Sequence, residues 1–97
     1  MTTETRRMFA NNLARRRVFQ RLSRRIATLS GAYSLRERGV LEDELNEILA
    51  DLDRCDGPKV TARITTEQPK TMMVQFYDGE GYPVNIDAAR GELQRLN

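Results

Sequence analysis

The sequence predicts an α+β domain: an N-terminal amphipathic helical hairpin, a three-stranded antiparallel meander and a short C-terminal helix, in the order α-α-β-β-β-α. Three observations predict it. Apolar residues recur at helical spacing from Val18 to Tyr33, and again from Leu41 to Cys55. The period then changes to two in Lys59–Thr66, where Val60, Ala62 and Ile64 alternate with Thr61, Arg63 and Thr65. Finally, Asp56-Gly57-Pro58 separates the two regimes, because proline lacks an N–H and disfavours helix in the residue before it.

The first helix is predicted from Thr3 to about Ser30. Thr2, Thr3 and Thr5 offer N-caps, Glu4 complements the helix dipole and Gly31 suits the position after the C-cap. Phe19, Leu22, Ile26, Leu29 and Tyr33 follow the 3-4-3-4 spacing of a packed face, joined by Met8 and Val18. Arg15 interrupts this stripe, and Phe9 and Leu13 point nearly opposite to it, so the first three turns are expected to contact a second chain, either a dimer mate or another partner.

Ser34 and Glu37 form the capping box of a second helix, in which Gly39 is a weak point that could split off a first turn. Its apolar stripe is Leu41, Leu45, Ile48, Leu49, Leu52 and Cys55. Glu42, Asp43, Glu44, Glu47, Asp51 and Asp53 take the remaining surface. Two such helices joined by a short turn pack as an antiparallel pair.

A turn at Glu67–Lys70, containing Pro69, leads into a second strand from Thr71 to Tyr77, with Met72, Val74 and Phe76 inward and Met73, Gln75 and Tyr77 outward. Asp78-Gly79-Glu80-Gly81 reads as a turn and Tyr82, Val84 and Ile86 as a third strand, which Pro83 assigns to a sheet edge. Asp87 or Asn85 would cap a final helix carrying Ala88, Ala89, Leu93 and Leu96, weakened by Gly91. Leu22, Ile26, Leu45, Ile48, Leu52, Val74 and Phe76 are expected to share one core.

Residues 1–97 make a single small domain, able to bury roughly 60 to 70% of its unfolded surface. With 39% hydrophobic and 31% charged residues it is predicted to be globular. One cysteine and no histidine exclude an intramolecular disulfide and the common zinc sites, and fit a reducing, cytoplasmic setting. No apolar run is long enough to span a membrane, and the N-terminus lacks the apolar core of a secretory signal, although it shares the arginine-rich, acid-poor composition of a transit peptide. No cofactor motif is present. Asp78, Glu80 and Asp87 lack calcium-loop spacing. An enzyme is not expected either: there is no histidine, no glycine-rich loop opening a helix, and no serine or cysteine with a base in reach.

The strongest functional signal is charge polarity. A net charge of +2 conceals eight arginines and no lysine between Thr3 and Ser30, against the single acid Glu4. Arg6, Arg7, Arg17, Arg21, Arg24 and Arg25 fall in a sector roughly 100° wide on a helical wheel. The guanidinium fork binds phosphate and carboxylate bidentately, so arginine in place of lysine suits recognition. Residues 1–30 thus read as an arginine-rich arm of a small regulatory binding protein that docks on nucleic acid or a nucleic-acid-handling complex.

Two alternatives stand beside that reading. A protein-binding inhibitor or adaptor, of the compact anti-defence type found in phages and mobile elements, would use the same arginines against an acidic protein surface. Alternatively, the arginines pair with Glu42, Glu44, Glu47 or Asp51 of the chain's own second helix, although exposed pairs of that kind contribute little. Phe9, Leu13, Tyr77 and Tyr82 are secondary interface candidates, the tyrosines as an aromatic pair flanking the glycine turn.

Overall fold

The computed structural model describes residues 2–29, 35–68 and 71–96. Two helices, α1 (Thr3–Ala27) and α2 (Leu35–Ala50), pack on one face of a four-stranded antiparallel sheet of β1 (Val60–Gln68), β2 (Thr71–Asp78), β3 (Pro83–Asp87) and β4 (Glu92–Arg95). The strands lie in sequence order. Gly31, Ser34, Tyr33, Pro69 and Lys70, with the cap and turn roles expected of them, lie outside the described residues.

The helices run antiparallel. Arg21 meets Asp51, Arg25 meets Glu44 and Asn11 meets Asp56, so positions rise on one element as they fall on the other. Helix α2 is continuous through Gly39, whose missing side chain has open space beside it. At Ala50 the chain tightens into a 3₁₀ stretch, Asp51–Cys55, which turns Leu52 and Cys55 into the core. Asp56 adopts φ 50°, and the Gly57 N–H donates to the Leu52 carbonyl at 2.8 Å. A Cβ at Gly57 would lie 3.0 Å from the Leu52 Cβ, so the glycine permits that close return.

Val18, Phe19 and Leu22 from α1, Leu45 and Leu49 from α2, Leu52, Cys55 and Ala62 form the buried core. Of the expected core residues, Leu22, Leu45 and Leu52 are fully buried, while Ile26, Ile48, Val74 and Phe76 are half-buried at its margin. Val60, Ala62 and Ile64 on β1 and Val74 and Phe76 on β2 face the helices, as their alternation predicts, and Thr61, Arg63, Thr65 and Met73 are exposed on the opposite face. Met72's side chain lies outside the described part.

The C-terminal segment differs from expectation: there is no final helix among the described residues, and the sheet has a fourth strand. Residues 88–91 form a turn in which the Gly91 N–H donates to the Asp87 carbonyl at 2.8 Å and the Asp87 carboxylate accepts the Arg90 N–H at 3.1 Å. Gly91 takes φ 68°, which reverses the chain and pairs Asp87 with Glu92 and Ile86 with Leu93. A Cβ there would stand 2.9 Å from Cγ of Arg16, so α1 packs directly on this turn. The Asp87 side chain caps a turn where the sequence suggested a helix cap.

Pro83 is not on an edge strand, since β3 lies between β2 and β4. It is tolerated as the first residue of β3, where its carbonyl accepts the Leu96 N–H at 3.1 Å and the return donor it lacks would meet Leu96, exposed beyond the end of β4. Glu67 and Gln68, expected in a turn, extend β1 past an irregularity between Thr66 and Gln68.

The outer edge of β1 is closed by α2. The Asn46 side chain accepts the Ala62 N–H at 2.8 Å and donates to the Ala62 carbonyl at 3.1 Å, while Glu42 accepts the Ile64 N–H at 3.1 Å. Asn46 thereby stands in for a neighbouring strand.

Candidate functional site

The arginine sector resolves into two groups. On the flank of α1 that faces α2, Arg25 grips Glu44 with both ends of its fork, Nε to Oε1 at 2.7 Å and Nη2 to Oε2 at 3.1 Å, and its Nη1 donates to Thr28 at 2.8 Å. Arg21 donates to Asp51 at 2.6 Å. These two therefore take the internally paired arrangement. On the flank that turns away from the fold, Arg6, Arg17 and Arg24 are exposed and make no ion pair with any described residue.

The three outer arginines fall on one line along the helix. At 1.5 Å per residue they stand about 16 Å and about 10 Å apart. Leu13, 40% exposed, lies between Arg6 and Arg17 on the same line. The side chains of Arg7 and Phe9 lie outside the described part, so their place on this surface is given only by the helix they belong to.

From its third turn onward α1 is tied to the rest of the fold. Asn11 donates to Asp56 at 3.2 Å and Asn12 to the Arg90 carbonyl at 3.3 Å, which ties the helix to the end of the 3₁₀ stretch and to the β3–β4 turn. Ala14 packs against the core. The arginine line is thus carried on a helix braced at both flanks from Asn11 onward. Arg54, exposed on the 3₁₀ stretch, is close enough for its charge to act on Asp51, the partner of Arg21. Its position among the acids of the second helical region concealed it in the sequence.

Three carboxylates are held below their ordinary range. Hydrogen bonding from Arg25, with its charge, lowers Glu44, and hydrogen bonding from Arg21, with the charges of Arg21 and Arg54, lowers Asp51. Asp78 is lowered first by the Tyr82 N–H, then by the Glu80 N–H and by Arg95. A carboxylate depressed on folding contributes stability that is fully present above its unfolded value, about 4, and is lost as pH falls through the lower folded value. Urea unfolding between neutral pH and strong acid is therefore expected to show stability falling from near pH 4 downward. The double change Arg21→Gln and Arg25→Gln should flatten that fall, leaving the part due to Asp78. An unchanged acid profile in the double variant would show that the two ion pairs do not form in solution.

Tyr77 and Tyr82 do not meet as a pair. Tyr77 lies opposite Pro83 in the ladder, with the Arg63 guanidinium 5.8 Å from its ring centre. Tyr82 instead carries Arg95 at 4.5 Å, in a cluster where Arg95 bonds Asp78 and Glu80, both at 3.1 Å. One Asp78 oxygen accepts the N–H groups of Glu80 and Tyr82 at 3.0 and 2.9 Å. The acids of the glycine turn are engaged in holding that turn, and no group of His, Cys, Asp or Glu among the described residues is placed to hold a metal ion. Cys55 is buried, 3.4 Å from the Leu52 carbonyl. No helix among the described residues is long and apolar enough to cross a membrane.

Comparison with protein-family models, with curated proteins and with solved structures finds no match to the chain. The geometry of α1 is therefore the ground for a functional reading.

Proposed function

We propose that the chain is a small non-enzymatic binding protein of the cytoplasm whose outer α1 face docks on the phosphate backbone of a nucleic acid, free or within a nucleic-acid-handling complex. The observation that supports this reading is the contrast within one helix. Arg21 and Arg25 have acids in reach and pair with them, whereas Arg6, Arg17 and Arg24 make no ion pair with any described residue and stand in a line on the flank that turns away from the fold. Exposed cations on a helix are ordinarily matched by Glu or Asp three or four residues away, and α1 has only Glu4. A row of guanidinium groups along one helix face suits contact with a line of phosphates and carries no base-specific information by itself.

The test is a fluorescence titration with single-stranded and duplex nucleic acid at several salt concentrations. Replacing Arg6, Arg17 and Arg24 together by Gln keeps good helix formers in place, so the melting temperature should hold while affinity falls. Each lost phosphate contact should flatten the dependence of log affinity on log salt by about 0.9. Failure of the unmodified chain to bind any nucleic acid at about 50 mM salt, where such contacts are strong, would overturn the proposal.

Leu13 favours a second reading, docking on an acidic protein surface as an inhibitor or adaptor. An exposed apolar side chain among arginines adds nothing to phosphate binding, whereas a protein partner can bury it alongside the arginines, which are enriched at protein interfaces. Leu13→Ser would then abolish binding of the partner, while leaving any nucleic-acid titration unmoved.

A further inference from the structure

Between β2 and β3 the sheet is open. The two strands pair only at Phe76 with Val84 and at Tyr77 with Pro83, and beyond these pairs they part around a cleft of about 650 Å³. Its floor is the α1 surface at Leu22, Ser23 and Ile26, and its walls are Met73–Phe76 on one side and Val84–Ala88 on the other. That volume lies within the roughly 300 to 1,000 Å³ of sites that enclose ligands.

The direction of the main-chain groups on both walls follows from the ladder. In an antiparallel sheet successive residues direct their N–H and C=O to opposite neighbours. The Asp78 N–H donates to the Tyr82 carbonyl, so Asp78, Phe76 and Val74 face β3. Asn46 holding both main-chain groups of Ala62 on the far side of β1 gives the same phase, because it leaves Thr61 and Arg63 to bond Tyr77 and Gln75. On β3, the Pro83 carbonyl accepts from Leu96, so Pro83, Asn85 and Asp87 face β4 and Ile86 faces β2. Val74 and Ile86 thus both point a donor and an acceptor into the cleft, without a strand partner there among the described residues.

We infer that this cleft takes an extended peptide segment of a partner protein, added as a strand between β2 and β3. Paired N–H and C=O groups on opposite walls are complementary to an extended main chain, which presents the same groups on both of its edges. The side chains set the pattern of that segment. Leu22, Ile26, Val74 and Ile86 offer an apolar seat to a residue pointing toward the helices, whereas Gln75 and Asn85, on the other face, suit polar neighbours. A second copy of this chain is the poorer occupant, since its described strands are already paired and one would have to leave its own sheet.

The probes are acetylated, amidated pentapeptides Thr-X-Thr-Z-Thr, with X and Z drawn from Val, Ile, Leu, Phe, Tyr and Lys, and versions N-methylated at X or Z. Amide hydrogen exchange of the free protein should be fast at Val74 and Ile86 and slow at Phe76 and Val84. Peptides with apolar X or Z should slow exchange at Val74 and Ile86, and each N-methyl group on the bonding edge should weaken binding about tenfold. Ser23→Phe, at the cleft floor, should block the peptides while leaving the melting temperature in place. Three results would each overturn the inference: slow exchange at Val74 and Ile86 in the free chain, which means β2 and β3 close on each other; equal binding of the N-methylated peptides, which makes the cleft an apolar pocket only; or no binding by any peptide of the set at about 1 mM.

Discussion

Phe19→Ala is expected to lower the unfolding free energy by about 3 to 5 kcal/mol, the range for emptying an aromatic site in a close-packed core. Phe19 is 0% exposed and belongs to the cluster where α1 meets α2 and the 3₁₀ stretch, packed among Val18, Leu22, Leu45, Leu49 and Leu52. No neighbour there can collapse into the vacated space without one helix moving on the other, so the cavity persists and dispersion contacts are lost on every side. A domain of this size has a total stability of about 5 to 15 kcal/mol, so the variant should sit near its unfolding limit in water. Phe19→Leu, which retains most of the volume, should cost under about 1.5 kcal/mol. Leu13→Ala, on the same helix but outside the core, should change stability by less than about 0.5 kcal/mol. Urea midpoints read all three. A Phe19→Ala loss no larger than that of Leu13→Ala would mean that α1 does not pack on α2 as described.

Phe19 also marks what the sequence made legible. Its spacing to Leu22 and Ile26 places it on the packed face, and the arginines fall on the other side by the same arithmetic, so the direction of α1 in the fold could be read from a helical wheel. The charge partners could not. Arg21 and Asp51 are brought together by the register of one helix against the other, and no local spacing encodes that register. The same holds for Asn46, a polar residue beside an apolar stripe, whose role appears only once β1 lies against it.

The strand in place of a C-terminal helix has a local cause. Ala88, Leu93 and Leu96 satisfy helical spacing, and Ile86 with Leu93 satisfies strand pairing across a turn, so a segment this short carries both periods. Gly91 decides between them. Read as a weak helix residue it argues mildly against helix, but at φ 68° beside Arg16 it is the pivot of a hairpin. Pro83 is compatible with an inner strand because it has no hydrogen bond to lose toward β2, where it opposes Tyr77, and the one it lacks toward β4 falls beyond that strand's end.

Asn46→Ala is expected to cost about 2 to 3 kcal/mol, more than its half-buried side chain would suggest, because it leaves two main-chain groups of β1 without partners. The Ala62 N–H and carbonyl lie under α2, and Ala62 itself is 0% exposed, so water cannot readily replace the amide. The gain in helix propensity from alanine offsets only about half a kcal/mol. Asn46→Asp separates the two bonds. Its carboxylate still accepts the Ala62 N–H, but sets a second oxygen against the Ala62 carbonyl and loses the donor also given to the Glu42 carbonyl. That variant should therefore be weakest at neutral pH and recover in mild acid, where a protonated carboxyl donates again, opposite in sign to the acid response set by Glu44, Asp51 and Asp78. Urea unfolding across pH, with hydrogen exchange read at Ala62, measures both effects. An Asn46→Ala chain with unchanged midpoint and a protected Ala62 amide would show that the edge of β1 is closed by something other than this side chain.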